Sequence, residues 1–226
     1  MPKRINPNRI LFEDEHLLAI NKLNGELVVR GSGRVDRLPL LDFLRNQYGS
    51  NLKPIHRLDF ETSGVVLFAK SEKCHEEAVG NKKFALSGLG ASKIYRAIVM
   101  GRMKADSSGE INKPIPARSD GELVPARTKY KVLDSFRDAS YVEAEIETGR
   151  QHQIRRHFAS INHALVMDEG YGRHRLNREF QKKYGYKSFF LHAFQLKFKH
   201  FVTGESLVIE APLLEVFKRA LDRLSK

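Results

Sequence analysis

Apolar and polar positions alternate in short blocks along the chain, and the period of each block predicts its element. Residues 10–12 and 16–21 flank an acidic turn and read as a hairpin, while 53–57 and 64–69 read as strands, the second rich in β-branched side chains. Leu40, Leu41, Leu44 and Tyr48 recur at helical spacing and predict a helix, and 72–84 is a weaker helical stretch interrupted by Gly80. Residues 93–100 return to strand character. Val142, Ala144 and Ile146 then alternate with Glu143, Glu145 and Glu147, the pattern of a strand with one buried and one wet face. Ile154, Phe158 and Ile161 stand at i, i+4 and i+7, so 151–161 should be a helix carrying His152, Arg155 and Arg156 on its opposite side. Residues 189–198 and 206–210 read as late strands, and 213–224 as an amphipathic helix with Leu214, Phe217 and Leu221 inward. No repeat or low-complexity tract divides the chain. The order predicts a single α+β domain over 1–226, built on a central mixed or antiparallel sheet flanked by helices and loops. Residues 1–9 would be an N-terminal extension and 172–188 a basic insertion.

Charge narrows the partners. Thirty-nine Lys and Arg face 27 Asp and Glu, a formal net charge of +12 that concentrates polyanions at the surface. Nucleic acid leads, with an anionic membrane or simple self-repulsion as the plainer accounts of the same charge. Cys74 is the only cysteine, which excludes an internal disulfide framework and a thiolate zinc cluster and favours the cytoplasm. After the basic Met1-Pro2-Lys3-Arg4, residues 10–22 are broken by Glu13, Asp14, Glu15 and His16, so no secretory apolar region is expected. The longest purely apolar run, 65–69, is too short to cross a bilayer, and a soluble protein is expected.

No glycine-rich phosphate loop, His-Glu-x-x-His pair or Gly-x-Ser-x-Gly elbow occurs. His152 and His157 are five apart, about 140° around a helix, which suits satisfied polar histidines better than joint metal ligation. What stands out is His56-Arg57-Leu58-Asp59-Phe60-Glu61-Thr62-Ser63-Gly64, a dense polar run between two apolar strands. By itself it fits a hairpin loop in which Asp59 and Thr62 bond the local backbone. A second run, Gly149-Arg150-Gln151-His152-Gln153-Ile154-Arg155-Arg156-His157, opens the amphipathic helix and could aim an arginine at the first.

These residues resemble the RluA-type pseudouridine synthases, which isomerise uridine to pseudouridine in ribosomal or transfer RNA. The resemblance rests on His56-Arg57-Leu58-Asp59 followed by Thr62-Ser63-Gly64 and Ala69-Lys70, on Gly149-Arg150 through Arg155 with His157, and on Lys93-x-Tyr95-x-Ala97 with Gly101. Asn21-Lys22, Asp168 with Tyr171-Gly172, and Leu191-His192-Ala193 extend it from about residue 10 to 224. It implies the pseudouridine synthase fold, Asp59 as catalytic carboxylate, Tyr95 as the ring against the target uracil, Arg155 as the salt-bridge partner of Asp59, and Arg57 entering the RNA stack. It implies an isomerisation without metal or other cofactor, acting on RNA rather than DNA. It does not choose between a carboxylate that attacks the nucleoside and one that removes the C2′ proton.

The chain departs from the family at Leu23-Asn24-Gly25, where a proline-containing turn is usual, at Arg156, commonly apolar, and at Met167, where glycine precedes the aspartate. There is no room before residue 10 for the S4-type RNA-binding domain of many relatives, so the catalytic domain itself is expected to grip RNA. Contacts are expected from Arg57, Arg150 and His152, from Arg30 and Arg34 in a glycine-rich loop, and from Lys182 and Lys183 in the 172–188 segment. That segment resembles members acting on large-subunit ribosomal RNA, which is favoured as the target, with a transfer RNA pseudouridine synthase as the alternative. Two rival functions remain: a non-catalytic RNA-binding or ribosome-assembly protein, and a nucleosidase that releases free uracil. The intact set of Asp59, Tyr95 and Arg155 speaks against the first, because binding alone places no demand on a carboxylate facing a polyanion.

Overall fold

The computed structural model describes residues 4–30, 38–80, 91–117 and 121–226. A 3-10 turn at Pro7–Arg9 leads into β1 (Ile10–Glu13) and β2 (Leu17–Lys22), followed by α1 (Leu40–Tyr48), β3 (Lys53–Pro54), β4 (Ser63–Ala69) and α2 (Glu72–Gly80). Next come β5 (Ser92–Met100), β6 (Ser108–Asn112), the short pair β7 (Ile115–Pro116) and β8 (Leu123–Val124), β9 (Arg127–Ser135) and β10 (Ala139–Ile146). The chain closes with α3 (Gln153–Ser160), α4 (His174–Tyr184), β11 (Leu191–Lys199), β12 (Ser206–Glu210) and α5 (Glu215–Leu224). The fold is α+β. Its contacts group into two compact units, one drawn from Met1–Ser92 with Ala193–Pro212, the other from Lys93–His192 with Leu213–Lys226.

In the first unit, β2 and β4 are buried at every position and pair antiparallel from Leu17 opposite Ala69 to Lys22 opposite Gly64. Their alternation sorts side chains to two cores. Leu17, Ala19, Val65, Leu67 and Ala69 face Cys74 and Ala78 of α2 on one side. Leu18, Ile20, Val66 and Phe68 face Leu40, Leu41 and Leu44 of α1 on the other. A strand buried on both faces reads as a continuous apolar run, which is why 64–69 was legible. The expected strand over 53–57 shortens to Lys53–Pro54. Beyond Pro54 the Leu67 amide donates to His56 Nε2 at 3.2 Å, so an imidazole takes the place of a ladder carbonyl. The expected helix over 72–84 is α2 as far as Gly80, and 81–84 lie outside the described residues.

The second unit carries antiparallel strands in the order β5-β10-β9-β6. Tyr95, Ala97 and Val99 of β5 face a core that includes Ile154 and Phe158 of α3, while Ile98 and Met100 face one that includes Phe180 of α4 and Phe217 of α5. Helix α3 starts at Gln153, two residues later than expected, because His152 takes a left-handed conformation at φ 54°. Helix α5 starts at Glu215; Phe217, Ala220 and Leu224 are its buried residues, while Leu214 and Leu221 are half-buried. Strands β6 and β9 lie in a stretch not assigned from the sequence, although Thr128, Tyr130 and Val132 alternate there with Arg127, Lys129 and Lys131. Among the described residues no helix is long and apolar enough to cross a membrane.

Candidate active site

Asp59 sits half-buried in the loop between β3 and β4, its carbonyl accepting from the Thr62 amide at 3.1 Å. The loop is tied from beneath. Lys22, at the end of β2 and fully buried, donates from Nζ to the carbonyls of Thr62 at 2.6 Å, Phe60 at 3.0 Å and Leu23 at 3.1 Å. Asn24 Nδ2 donates to the Glu61 carbonyl at 2.6 Å, and the Gly25 amide to that of Phe60 at 2.9 Å. Burial lowers the Lys22 pKa to about 8, against the pull of the nearby carboxylates of Glu26, Asp59 and Glu61. The loop re-enters β4 through Gly64, at φ +112°, where a Cβ would lie 2.2 Å from the carbonyl oxygen of Ala193. Both the backbone angle and the space therefore require glycine.

In the second unit, Arg155 Nε and Nη2 make a two-pronged contact with Asp168 Oδ2 and Oδ1, each at 2.8 Å. Such a fork fixes the guanidinium plane as a lysine could not. Asp168 is fully buried and also accepts from the amides of Gly170 and Tyr171, both at 2.9 Å. Burial pushes its pKa up, but the Arg155 contact and the two amides outweigh that and hold the carboxyl below its usual value. The guanidinium carbon of Arg155 lies 5.1 Å from the Tyr171 ring centroid and 5.3 Å from that of Phe189. Arg156 also covers Tyr171, at 5.4 Å, and donates from Nε to its hydroxyl at 2.9 Å. The same hydroxyl is 2.9 Å from His152 Nδ1.

Gln153 and His157 of the second block are framework. Gln153 is buried, its amide group donating to the Arg127 carbonyl at 2.8 Å while its oxygen accepts from Thr148 Oγ1 at 2.7 Å. His157 is buried between Thr128 Oγ1 and the Lys113 carbonyl, and burial lowers its pKa. Its Nε2 must carry the proton for that carbonyl.

Tyr95 is half-buried on β5 with its ring against the α3-side core, to which Phe189 also belongs. Arg57 and Arg150 are exposed. Arg30 is exposed and pairs with Asp42 at 3.4 Å, while Arg34 lies outside the described residues. The basic 172–188 segment contains helix α4, on which Lys182 is exposed and Lys183 is bound to Asp138. The expected pairing of Asp59 with Arg155 joins residues of different units, and the contact seen within the second unit is with Asp168. Asp168 and Lys22 were noted in the sequence only as matching positions. Their anchoring roles involve partners 13 and 40 residues away. Among the described residues no group of three or more His, Cys, Asp or Glu is placed to hold a metal ion.

Comparison with known proteins identifies the family. A family model described as RNA pseudouridylate synthase matches residues 16–160. The "Ribosomal large subunit pseudouridine synthase C" of Vibrio cholerae is 33% identical over 226 residues, spanning 95% of this chain and 69% of that protein. The protein of the same name from Escherichia coli is 34% identical over 232 residues, with the same coverage. Among solved structures, human RNA pseudouridylate synthase domain containing 4 superposes with a TM-score of 0.73 at 26% identity, covering 96% of this chain and 92% of its own. Human RNA pseudouridylate synthase domain containing 1 shares the fold, with a TM-score of 0.75 at 21% identity and coverage of 96% and 90%. By the family match and by its identity with these relatives over nearly its whole length, the chain belongs to the RNA pseudouridylate synthases, isomerases that act on RNA.

Proposed function

We propose that this RNA pseudouridine synthase acts on uridine in large-subunit ribosomal RNA, with Asp59 as its catalytic carboxylate, Tyr95 as the ring against the base and Arg155 as the cation that orients Asp59. The target follows the relatives named for the large ribosomal subunit. The observation that carries the catalytic reading is the anchorage of the Asp59 loop by Lys22, which bonds the Phe60 and Thr62 carbonyls on either side of Glu61. A carboxylate acting on one nucleotide atom gains from a backbone fixed before substrate arrives. Such work places the enzyme in the cytoplasm.

The reaction conserves every atom. The N1–C1′ bond breaks with its electron pair leaving on the uracil. The sugar is compensated either by a bond from the Asp59 carboxylate or by loss of the C2′ proton to it. The ring turns and C5 bonds to C1′ as the Asp59 bond to the sugar breaks or the C2′ proton returns; the C5 proton passes to solvent or a base while N1 takes one up, so the product is an isomer of the substrate. Extruding the base costs a few kcal/mol of stacking, which an inserted Arg57 guanidinium offsets by taking the vacated place. The exposed Arg150 and the half-buried His152, with Arg30, Arg34, Lys182 and Lys183, are the further RNA contacts of this reading.

Replacing Asp59 by Asn should leave the protein folded and lower tritium release from C5-labelled uridine in a large-subunit RNA transcript by at least about 10³-fold. Undiminished release would refute the assignment. Mapping pseudouridine in ribosomal and transfer RNA from cells with and without the gene tests the target, and a site lost only from transfer RNA would overturn the ribosomal reading.

A further inference from the structure

Lys93 is a cation in unusual surroundings. It is half-buried two residues before Tyr95 on β5, and side chains two apart share a face of a strand at a spacing of about 7 Å. That face is the α3 side, where Tyr95 lies against the core. Lys93 stands opposite Ile146 in the β10 ladder, and its Nζ is 3.4 Å from the place a Cβ would occupy at Gly149. The ammonium therefore lies beside the backbone that opens the Gly149-Arg150 block.

Among the described residues the other shielded cations have partners. Lys22 bonds three carbonyls, Lys70 pairs with Glu13 at 2.7 Å, and Arg96 pairs with Glu143 at 2.9 Å. Among the described residues the Lys93 side chain has no hydrogen bond or ion pair, and burial alone lowers its pKa to about 8. An unpaired ammonium withdrawn from water costs stability, and a fold tolerates that where an anion is to arrive. A lysine meant for phosphate would do better in solvent, where exposed side chains such as Lys182 already serve a polyanion.

We propose that Lys93 is a further catalytic residue, whose ammonium faces the pyrimidine stacked on Tyr95 and stabilises the negative charge the ring acquires as the N1–C1′ bond breaks. This rests on the reading of Tyr95 as the stacking ring. Lys93 keeps its proton throughout: the electron pair of the broken bond stays on the ring until C5 returns it to C1′, and only charge stabilisation is supplied. Such a contact strengthens as the bond breaks, so it acts on rate rather than on affinity.

The test is single-turnover tritium release from large-subunit transcript labelled at uridine C5, with RNA affinity measured over a salt series and melting temperature recorded. Lys93→Met should slow release about 100-fold, leave affinity within about threefold, and raise the melting temperature because an uncompensated charge is gone. Lys93→Arg should recover at least about tenfold of the loss. A rate within threefold of wild type overturns the inference. So does a loss confined to affinity, with the salt slope falling by about 1, which marks a phosphate contact. A destabilised or unfolded Lys93→Met, or a Lys93→Arg with no recovery, marks a structural lysine and overturns it as well. Asp59→Asn and Tyr95→Ala run in parallel separate the levels. If either remains active, the reading beneath fails; if both are inactive and Lys93→Met is active, only the role of Lys93 fails.

Discussion

Met167 holds a left-handed backbone at φ 62°, at the position where the family commonly has glycine, and its amide donates to Asn177 Oδ1 at 3.0 Å. The conformation costs a residue with a Cβ about 1–2 kcal/mol, and here it immediately precedes the aspartate that grips Arg155. The Met167 side chain recovers part of that cost by lying against the Phe180 and Phe217 core. Two substitutions separate the contributions. Met167→Ala loses the packing and keeps the strain, so it should lower stability by about 1–2 kcal/mol. Met167→Gly loses the same packing but relieves the strain, and should be the more stable of the two in denaturant titration. This order is the reverse of that at ordinary helical or extended positions, and Ala proving the more stable would show that the left-handed angle carries no strain.

Helix α3 is secured to β9 through one chain of bonds: Gln153 Nε2 donates to Thr128 Oγ1 at 3.3 Å, and Thr128 Oγ1 lies 2.8 Å from His157 Nδ1, whose Nε2 faces the Lys113 carbonyl. The chain suits a neutral imidazole, and the folded-state pKa of His157 is lowered from 6.5 by burial. Its contribution to stability is therefore present above pH 6.5 and lost as pH falls from there through the lowered value. Wild-type protein should lose melting temperature between pH 7 and 5, and His157→Gln should lose less over the same interval; equal slopes would remove His157 as the cause. Asp168 titrates lower, since its pKa is held below 3.8, and does not confuse that window. Most elements were legible from periodicity: α1 and β12 match their expected spans, and β4 gains only Ser63. The helix start at 153 was not, because a left-handed His152 leaves no mark in the apolar spacing. For the site, the polar runs around Asp59 and Arg155 stand out, whereas the grip of Asp168 on Arg155 and of Lys22 on Thr62 joins distant positions that only the fold brings together.

The net charge of +12 makes RNA affinity fall steeply with salt. Its sources are not equivalent. Lys182 on α4 is exposed, whereas Lys183 is bound to Asp138, which also accepts from the Tyr184 hydroxyl at 2.8 Å. Lys182→Glu should weaken RNA binding and flatten the plot of log affinity against log salt by about 1 or more. Lys183→Glu should change that slope less, its charge being already matched. Equal slopes for wild type and Lys182→Glu would take α4 out of the interface. The ammonium of Lys22 has a separate consequence for chemical labelling. With a pKa of about 8, this amine is part unprotonated near neutrality, yet it is sealed beneath Phe60 and Thr62. Cyanate can reach it only when those carbonyls let go. The pace at which position 22 is carbamylated thus becomes a clock for each lifting of the segment that bears Asp59, and bound transcript should slow that clock.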